Sequence, residues 1–151
     1  MTVELLKQEI ARAAKREERL IILVGRPGSG KSRILRNFSH YTYLDLTRTL
    51  IKELSTLPSD QRIAEVPVYL KEKIEAVEDS VLIVDNIEIM FLPEVNLDPL
   101  KTLANLSRNK TLVVAWVGVY DGVTLEWSEP GRPDYKTYKA EECAYPVISI
   151  D

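Results

Sequence analysis

Residues 20–32 read Leu-Ile-Ile-Leu-Val-Gly-Arg-Pro-Gly-Ser-Gly-Lys-Ser. The first five are aliphatic, which predicts a strand buried on both faces, as in the centre of a parallel sheet. A glycine-rich turn follows, and we expect a helix from Lys31 to about Phe38. A strand, a turn and a helix in this order favour an α/β fold.

The turn from Gly25 to Ser32 matches G-x-x-x-x-G-K-[ST], the P-loop pattern. Its glycines let backbone N–H groups converge on phosphate oxygens, and the helix that follows presents its positive end to them. Lys31 would reach the β- and γ-phosphates, and the Ser32 hydroxyl would coordinate Mg²⁺. The residues expected to hold the nucleotide are Gly25, Arg26, Pro27, Gly28, Ser29, Gly30, Lys31, Ser32 and Arg33. The alternative is a glycine-rich turn with an exposed lysine.

A second aliphatic run, from Val81 to Val84, ends in Asp85. Ligands bind at the carboxyl ends of parallel strands, so we expect Asp85 to hold Mg²⁺ through water, together with Ser32. The alternative is a strand that ends in an ordinary turn. The next residue, Asn86, cannot act as a general base, and Glu88 is the nearest carboxylate. Strand alternation would point Glu88 away from Asp85, so Glu88 can serve only if the chain turns after Asp85. We therefore expect slow or partner-dependent hydrolysis.

The catalytic candidates are Lys31, Asp85, Glu88 and Arg108. Arg108 and Arg132 could each supply positive charge to a γ-phosphate, in cis or across a subunit boundary, and the alternative for each is a surface-loop arginine. Tyr120, Trp127, Tyr135 and Tyr138 could form a binding surface, or they could simply pack a hairpin.

The rest of the chain alternates between helix and strand patterns. Strands are expected over Tyr41 to Leu46, Val81 to Asp85, Thr111 to Val117 and Val147 to Ile150. Helices are expected over residues 3–18, from the end of the Tyr41 to Leu46 strand through Leu54, from near Pro67, and from Asp98-Pro99. A hairpin or ordered loop is expected over 118–146. These elements predict an α/β protein with a P-loop NTPase fold: a mostly parallel sheet of about five strands flanked by helices, with no separate helical lid. We place no boundary within residues 1–151, which predicts a single nucleotide-binding domain.

The composition excludes several classes of protein. With 45% apolar and 28% charged residues in a chain of 151, we expect one soluble globular domain. The net charge of −3 and the lack of a basic tail make direct binding to DNA by charge alone unexpected, so DNA would be contacted only indirectly or through partners. Cys143 and His40 are the single cysteine and histidine, which excludes an internal disulfide and a Cys/His metal site. No apolar stretch is long enough for a membrane span, and we expect a cytoplasmic protein.

Several segments beyond the P-loop resemble the BrxF family, the small P-loop proteins of bacteriophage-exclusion (BREX) type 3 systems. They are Asp85 to Phe91, Leu97 to Leu100, Leu106 to Asn109, Ala115-Trp116, Tyr120 to Gly122 and Glu129 to Tyr135. The resemblance implies ATP as the nucleotide and a bacterial anti-phage role beside a large ATPase, a DNA methyltransferase and a phosphatase-like protein. The order of the strands also resembles the additional-strand group of P-loop proteins, which includes the AAA+ ATPases.

Three functions stay open at this point. The first is an ATPase subunit that assembles with partners, or with copies of itself, according to its nucleotide. The second is a nucleotide-gated adaptor with negligible hydrolysis, which Asn86 favours. The third is a small-molecule kinase in which Asp45 orients an acceptor hydroxyl. Such kinases usually carry an arginine-rich lid, whereas residues 118–146 contain no arginine besides Arg132, which disfavours this function.

Overall fold

Five parallel strands form the centre of the fold in the computed structural model, which describes residues 2–150. The strands are β1 (Leu20–Gly25), β2 (Thr42–Asp45), β3 (Val81–Asp85), β4 (Thr111–Tyr120), β5 (Thr124–Trp127), β6 (Lys136–Lys139) and β7 (Val147–Ser149). The helices are α1 (Thr2–Ala13), α2 (Lys31–Leu35), α3 (Leu46–Leu54), α4 (Arg62–Ala76) and α5 (Pro99–Leu106), and 3₁₀ turns cover Arg36–Phe38, Glu88–Phe91 and Pro93–Val95. The α/β prediction and its mostly parallel sheet flanked by helices are confirmed.

The parallel strands lie in the order β2-β3-β4-β1-β7. β4 therefore separates β1, which leads into the P-loop segment (residues 25–32), from β3, which ends at Asp85. Because all five strands run in the same direction, the P-loop segment and Asp85 emerge at one edge of the sheet. We call this edge the carboxyl edge.

Both faces of the sheet are buried, and the side chains of β1 alternate between them. Ile21 and Leu23 pack with α1 and α2 on one face. Leu20, Ile22 and Val24 pack with α3, α4 and α5 on the other. A strand with no polar face is stable only between two layers of helices, which is why five consecutive aliphatic residues predicted the central strand.

β4 continues beyond its parallel neighbours and pairs antiparallel with β5, which pairs with β6. The sheet thus has seven strands, two more than the parallel set, and residues 118–146 contain the expected hairpin. Gly118 permits this pairing, since a Cβ there would lie 1.8 Å from the Glu126 carbonyl oxygen. Trp127 stacks on Phe91 with ring centroids 4.0 Å apart and meets Trp116 edge to face. Hairpin packing, rather than an exposed binding surface, accounts for Trp127, which is buried.

Two helix boundaries differ from the prediction. The helix expected over residues 3–18 ends at Ala13, because residues 15–19 are all charged and offer no side chain to bury against the sheet. The strand expected to reach Leu46 ends at Asp45. The Asp45 carboxylate accepts a hydrogen bond from the Arg48 amide and caps α3, so Leu46 is the first residue of the helix and not the last of the strand. The segment from Lys31 to Phe38 is helical, with its last turn tightened to 3₁₀ geometry.

The expectation that a helix begins near Pro67 is wrong, since α4 begins at Arg62 and holds Pro67 in its interior. Proline at this position has no N–H to donate to the Ile63 carbonyl, so one helical hydrogen bond is lost. The apolar face formed by Val66, Leu70 and Ile74 is fully buried. Burial of that face outweighs the unfavourable proline and extends the helix past it.

Replacing Pro67, which is exposed, with alanine should stabilise the protein. The new N–H can complete the helix, while the greater freedom of the unfolded chain offsets part of the gain, so we expect an increase of about 1–2 kcal/mol in the free energy of unfolding. Urea unfolding followed by tryptophan fluorescence measures it. Val68→Ala, at the neighbouring exposed position, is the control and should change stability by less than about 0.5 kcal/mol. A lower urea midpoint for Pro67→Ala would contradict this account of α4.

Candidate functional site

The P-loop segment has a backbone that requires glycine. Gly28 and Gly30 have φ values of 76° and 100°, in the left-handed region where other residues are strained. Gly25 is restricted by space, because a Cβ there would lie 2.4 Å from Ser29 Oγ. The three glycines of the motif thus each meet a physical requirement of this loop.

The Lys31 side chain points into the P-loop segment and hydrogen-bonds to it. Its side chain is buried, with 8% of the residue exposed, and its ammonium group donates to the carbonyl oxygens of Gly25 at 2.7 Å and Arg26 at 2.9 Å. It also donates to Ser29 Oγ at 3.3 Å. The alternative of a glycine-rich turn with an exposed lysine does not fit this arrangement, since the lysine is directed into the loop.

Asp85 and Ser32 meet at the carboxyl edge. Ser32 Oγ donates to Asp85 Oδ2 at 3.0 Å, although the two residues are 53 positions apart in the chain. Asp85 is 5% exposed, and the Asn86 amide donates to its other oxygen, Oδ1, at 2.8 Å. The two residues predicted to share a metal ion are therefore already in contact.

A residue that the sequence analysis did not select, Tyr43, also reaches Asp85. Its hydroxyl donates to Asp85 Oδ2, the same oxygen that accepts from Ser32. Burial of the hydroxyl, followed by the hydrogen bond to Asp85, raises the pKa of the Tyr43 phenol, so the phenol keeps its proton and acts as the donor. The sequence signal was weak: Tyr43 lies two residues before Asp45 on one face of a strand, and only the pairing of β2 with β3 brings that face to Asp85.

The chain turns sharply after Asp85. Asn86 has a φ of 55°, in the left-handed region that asparagine tolerates, and its Nδ2 donates to Asp45 Oδ2 at 2.8 Å. The Asn86 carbonyl accepts from the amide and the hydroxyl of Thr47. The end of β3 is thereby tied to the start of α3. Each carboxylate oxygen of Asp45 accepts one hydrogen bond, Oδ1 from the Arg48 amide and Oδ2 from Asn86, which gives Asp45 a structural role at this junction.

Glu88 meets the condition set for a catalytic base, because the chain does turn before it. It opens a 3₁₀ turn, is exposed, and lines a cleft of about 730 Å³ together with Arg26 and Pro27 of the P-loop segment. Arg132, which pairs with Glu129 at 3.7 Å, lines the same cleft. The turn after Asp85 therefore brings Glu88 to the cleft beside the P-loop segment, where strand alternation would not have placed it.

Arg108 lies elsewhere. It precedes β4 at the opposite edge of the sheet and pairs with Glu17 at 3.1 Å and Glu18 at 3.4 Å, which precede β1. The expectation that Arg108 serves the P-loop of its own chain is not met, because the whole length of the sheet separates them. A role across a subunit boundary stays a prediction.

Arg33 is exposed on α2, in the first turn after the P-loop segment.

The described residues, 2–150, contain no cluster of three or more His, Cys, Asp and Glu side chains that could hold a metal ion. A metal at Ser32 and Asp85 would thus depend on further oxygen ligands from a phosphate and from water. None of the helices between residues 2 and 150 is long and apolar enough to cross a membrane.

Comparison with known proteins gives no family and a distant structural similarity. No protein-family model and no curated sequence matches this chain. A solved structure of C. elegans PCH-2 matches 99% of this chain with a TM-score of 0.44 and 15% sequence identity. The match covers 40% of the PCH-2 chain, so this chain spans less than half of that structure's length.

Asn86→Asp should destabilise the protein because it sets a carboxylate against Asp45, where Asn86 now donates a hydrogen bond. We expect a loss of about 1–2 kcal/mol at pH 7. The repulsion requires both carboxylates to be ionised, so the loss disappears as the pH falls below about 4 and grows as the pH rises toward 7.

Urea unfolding at pH 4 and at pH 7 measures this dependence. The control is Asn86→Gly, which suits the φ of 55° and adds no charge, and its loss should change less between the two pH values. An Asn86→Asp protein as stable as the wild type at pH 7 would show that this contact is not maintained.

Proposed function

We propose that this chain binds ATP with Mg²⁺ at the P-loop segment, in a P-loop NTPase fold, and hydrolyses it slowly or only with partners. The observation that carries the proposal is the 3.0 Å hydrogen bond from Ser32 to Asp85. A P-loop pattern alone is a local feature of the sequence. Here the last residue of the pattern, Ser32, contacts a buried carboxylate from another strand. These are the two groups that a magnesium–nucleotide site requires: a hydroxyl that binds the metal and a carboxylate that holds it through water.

The chemistry of the residues fits that group. Mg²⁺ prefers hard oxygen ligands and keeps several waters. The Ser32 hydroxyl would supply one such oxygen, and the Asp85 carboxylate would accept hydrogen bonds from the metal-bound waters. Lys31 supplies a positive charge beside the loop whose glycines leave its backbone accessible. When bound, the metal would neutralise charge on the phosphate oxygens.

The order of the strands supports the same proposal. The resemblance to the additional-strand group rests on β2, which lies between the P-loop strand and the Asp85 strand in the chain, and in the sheet β4 lies between those two strands. Four carboxylates share the cleft with Arg26 and Pro27: Glu88, Glu126, Glu129 and Asp134. Glu126 accepts from Tyr135, Glu129 pairs with Arg132 and Asp134 accepts from Trp127, so we assign the role of the base that activates water to Glu88. Arg132, in the wall of that cleft, is better placed than Arg108 to face a phosphate of the same chain.

The resemblance to the BrxF family extends the proposal to a BREX anti-phage system. The chain would then act through nucleotide-dependent assembly with a large ATPase, a methyltransferase and a phosphatase-like protein, or with further copies of itself, and would meet DNA only through them. The second candidate, an adaptor that binds ATP and hardly hydrolyses it, is favoured by Asn86, whose amide is engaged with Asp45 and can accept no proton from water.

Lys31→Ala should reduce the affinity for magnesium–ATP by at least about tenfold, because it removes the charge directed into the loop. Isothermal titration with purified protein measures the affinity, and circular dichroism checks that the fold is retained. Lys101→Ala, an exposed lysine on α5, is the matched control and should bind as the wild type does. Unchanged binding by Lys31→Ala would refute the nucleotide site.

Glu88→Gln should lower phosphate release about 100-fold or more while leaving ATP affinity nearly unchanged, because a general base contributes to the chemical step rather than to binding. The assay is phosphate release with and without the partner proteins, and Glu94→Gln, also exposed, is the matched control. If the wild-type protein binds ATP but releases no phosphate under any of these conditions, the adaptor replaces the ATPase.

A further inference from the structure

Tyr43 occupies an unusual position for a residue at a metal site. It lies on β2, the edge strand of the sheet, with 46% of the residue exposed, yet its hydroxyl reaches the buried carboxylate of Asp85. The exposed part is thus the ring, while the polar end is turned inward. A tyrosine at an exposed edge has no need of a buried partner, since water can satisfy its hydroxyl.

The hydrogen bonds of Asp85 are unevenly divided between its two oxygens. Oδ2 accepts from Ser32 and from Tyr43, and each carboxylate oxygen has two lone pairs, so both acceptor positions of Oδ2 are filled. Oδ1 accepts from the Asn86 amide. The oxygen next to the Ser32 hydroxyl, which is the one beside a metal held by Ser32, therefore has no acceptor position left for a metal-bound water.

We propose that Tyr43 competes with Mg²⁺ for Asp85, so that the metal–nucleotide complex binds only when the Tyr43 hydroxyl leaves Oδ2. This inference rests on the proposed function, because it concerns regulation of the same site. The Tyr43 O–H takes the place that an O–H of a metal-bound water would take. One hydrogen-bond donor to Asp85 replaces another, and no covalent bond is made or broken. Tyr43 is a positioning residue here and contacts no reacting atom.

The surroundings of Tyr43 suit such an exchange. β2 has a strand neighbour on one side only, β3, so its other side is not held by the sheet. With nearly half of the residue exposed, the ring can rotate toward water without displacing core side chains. When no metal is bound, the Asp85 carboxylate, which is 5% exposed, still needs hydrogen-bond donors. The Tyr43 phenol then supplies the hydrogen bond that a metal-bound water would otherwise supply.

The test compares the Mg²⁺ dependence of binding for the wild type and Tyr43→Phe, with a fluorescent ATP analogue as the probe. Tyr43→Phe should lower the Mg²⁺ midpoint about fivefold, the ratio that corresponds to one hydrogen bond of about 1 kcal/mol. The amount of analogue bound in EDTA should be the same for both proteins. The matched control is Tyr41→Phe, whose ring packs on Phe38 and whose hydroxyl makes no hydrogen bond within residues 2–150; its midpoint should equal that of the wild type.

A second measurement follows the phenol itself. In protein labelled with ¹³C at the tyrosine ζ-carbon, the signal missing from Tyr43→Phe identifies Tyr43. It should shift when the analogue is added with Mg²⁺ and stay in place when the analogue is added with EDTA. A purely structural role would leave it unmoved in both.

The possible outcomes separate the two proposals. If the wild type binds no analogue with or without Mg²⁺, the nucleotide site itself is refuted, and the role of Tyr43 with it. If the analogue binds but Tyr43→Phe leaves the Mg²⁺ midpoint unchanged or raises it, competition by Tyr43 is refuted and the nucleotide site stands.

Discussion

A carboxylate removed from water costs several kcal/mol unless its lone pairs are filled, and Asp85 meets that cost at the end of an aliphatic strand. Its three donors come from different parts of the chain: Ser32 at the end of the P-loop segment, Tyr43 on the edge strand, and the amide of Asn86. Each donor has to be held at the carboxyl edge for the carboxylate to remain buried. The hydrogen bonds that keep the Asp85 carboxylate buried are therefore the same contacts that assemble the site.

The parallel sheet makes this convergence possible. With β4 between β1 and β3, the P-loop and Asp85 are one strand apart, and Ser32, in the first turn of α2, reaches Asp85 across that distance. The extension of β4 into the β5–β6 hairpin then forms the wall of a cleft that opens beside Arg26. The stacked rings of Phe91 and Trp127 fix this wall against the turn that carries Glu88, so the core of the hairpin also positions the candidate base.

The turn after Asp85 relates the two leading functions to one another. Asn86 adopts a left-handed backbone and uses its amide to hold Asp45 at the start of α3, so it is a structural link between β3 and α3. A carboxylate at this position would repel Asp45, which explains physically why the base would have to come from Glu88. The proposed ATPase and the proposed nucleotide-gated adaptor would thus share one binding site and would differ in whether Glu88 activates a water molecule.

The sequence alone determined the elements with strong local signals: the aliphatic strands β1 and β3, the glycines of the P-loop, and the cap–proline pair that begins α5. These depend on contacts within a few residues, or on burial of every side chain, and both are visible in the order of residues. The end of α1 and the start of α4 depended on which face found a partner, so local patterns placed them wrongly.

Only the tertiary structure decided which distant residues share a site. It paired β2 with β3, which brought Tyr43 to Asp85; it turned the chain so that Glu88 faces the cleft; and it placed Arg108 at the opposite edge of the sheet. The physical reason is that strand order and strand register are set by the packing of the whole sheet between its two helical layers. No stretch of the chain contains that information by itself.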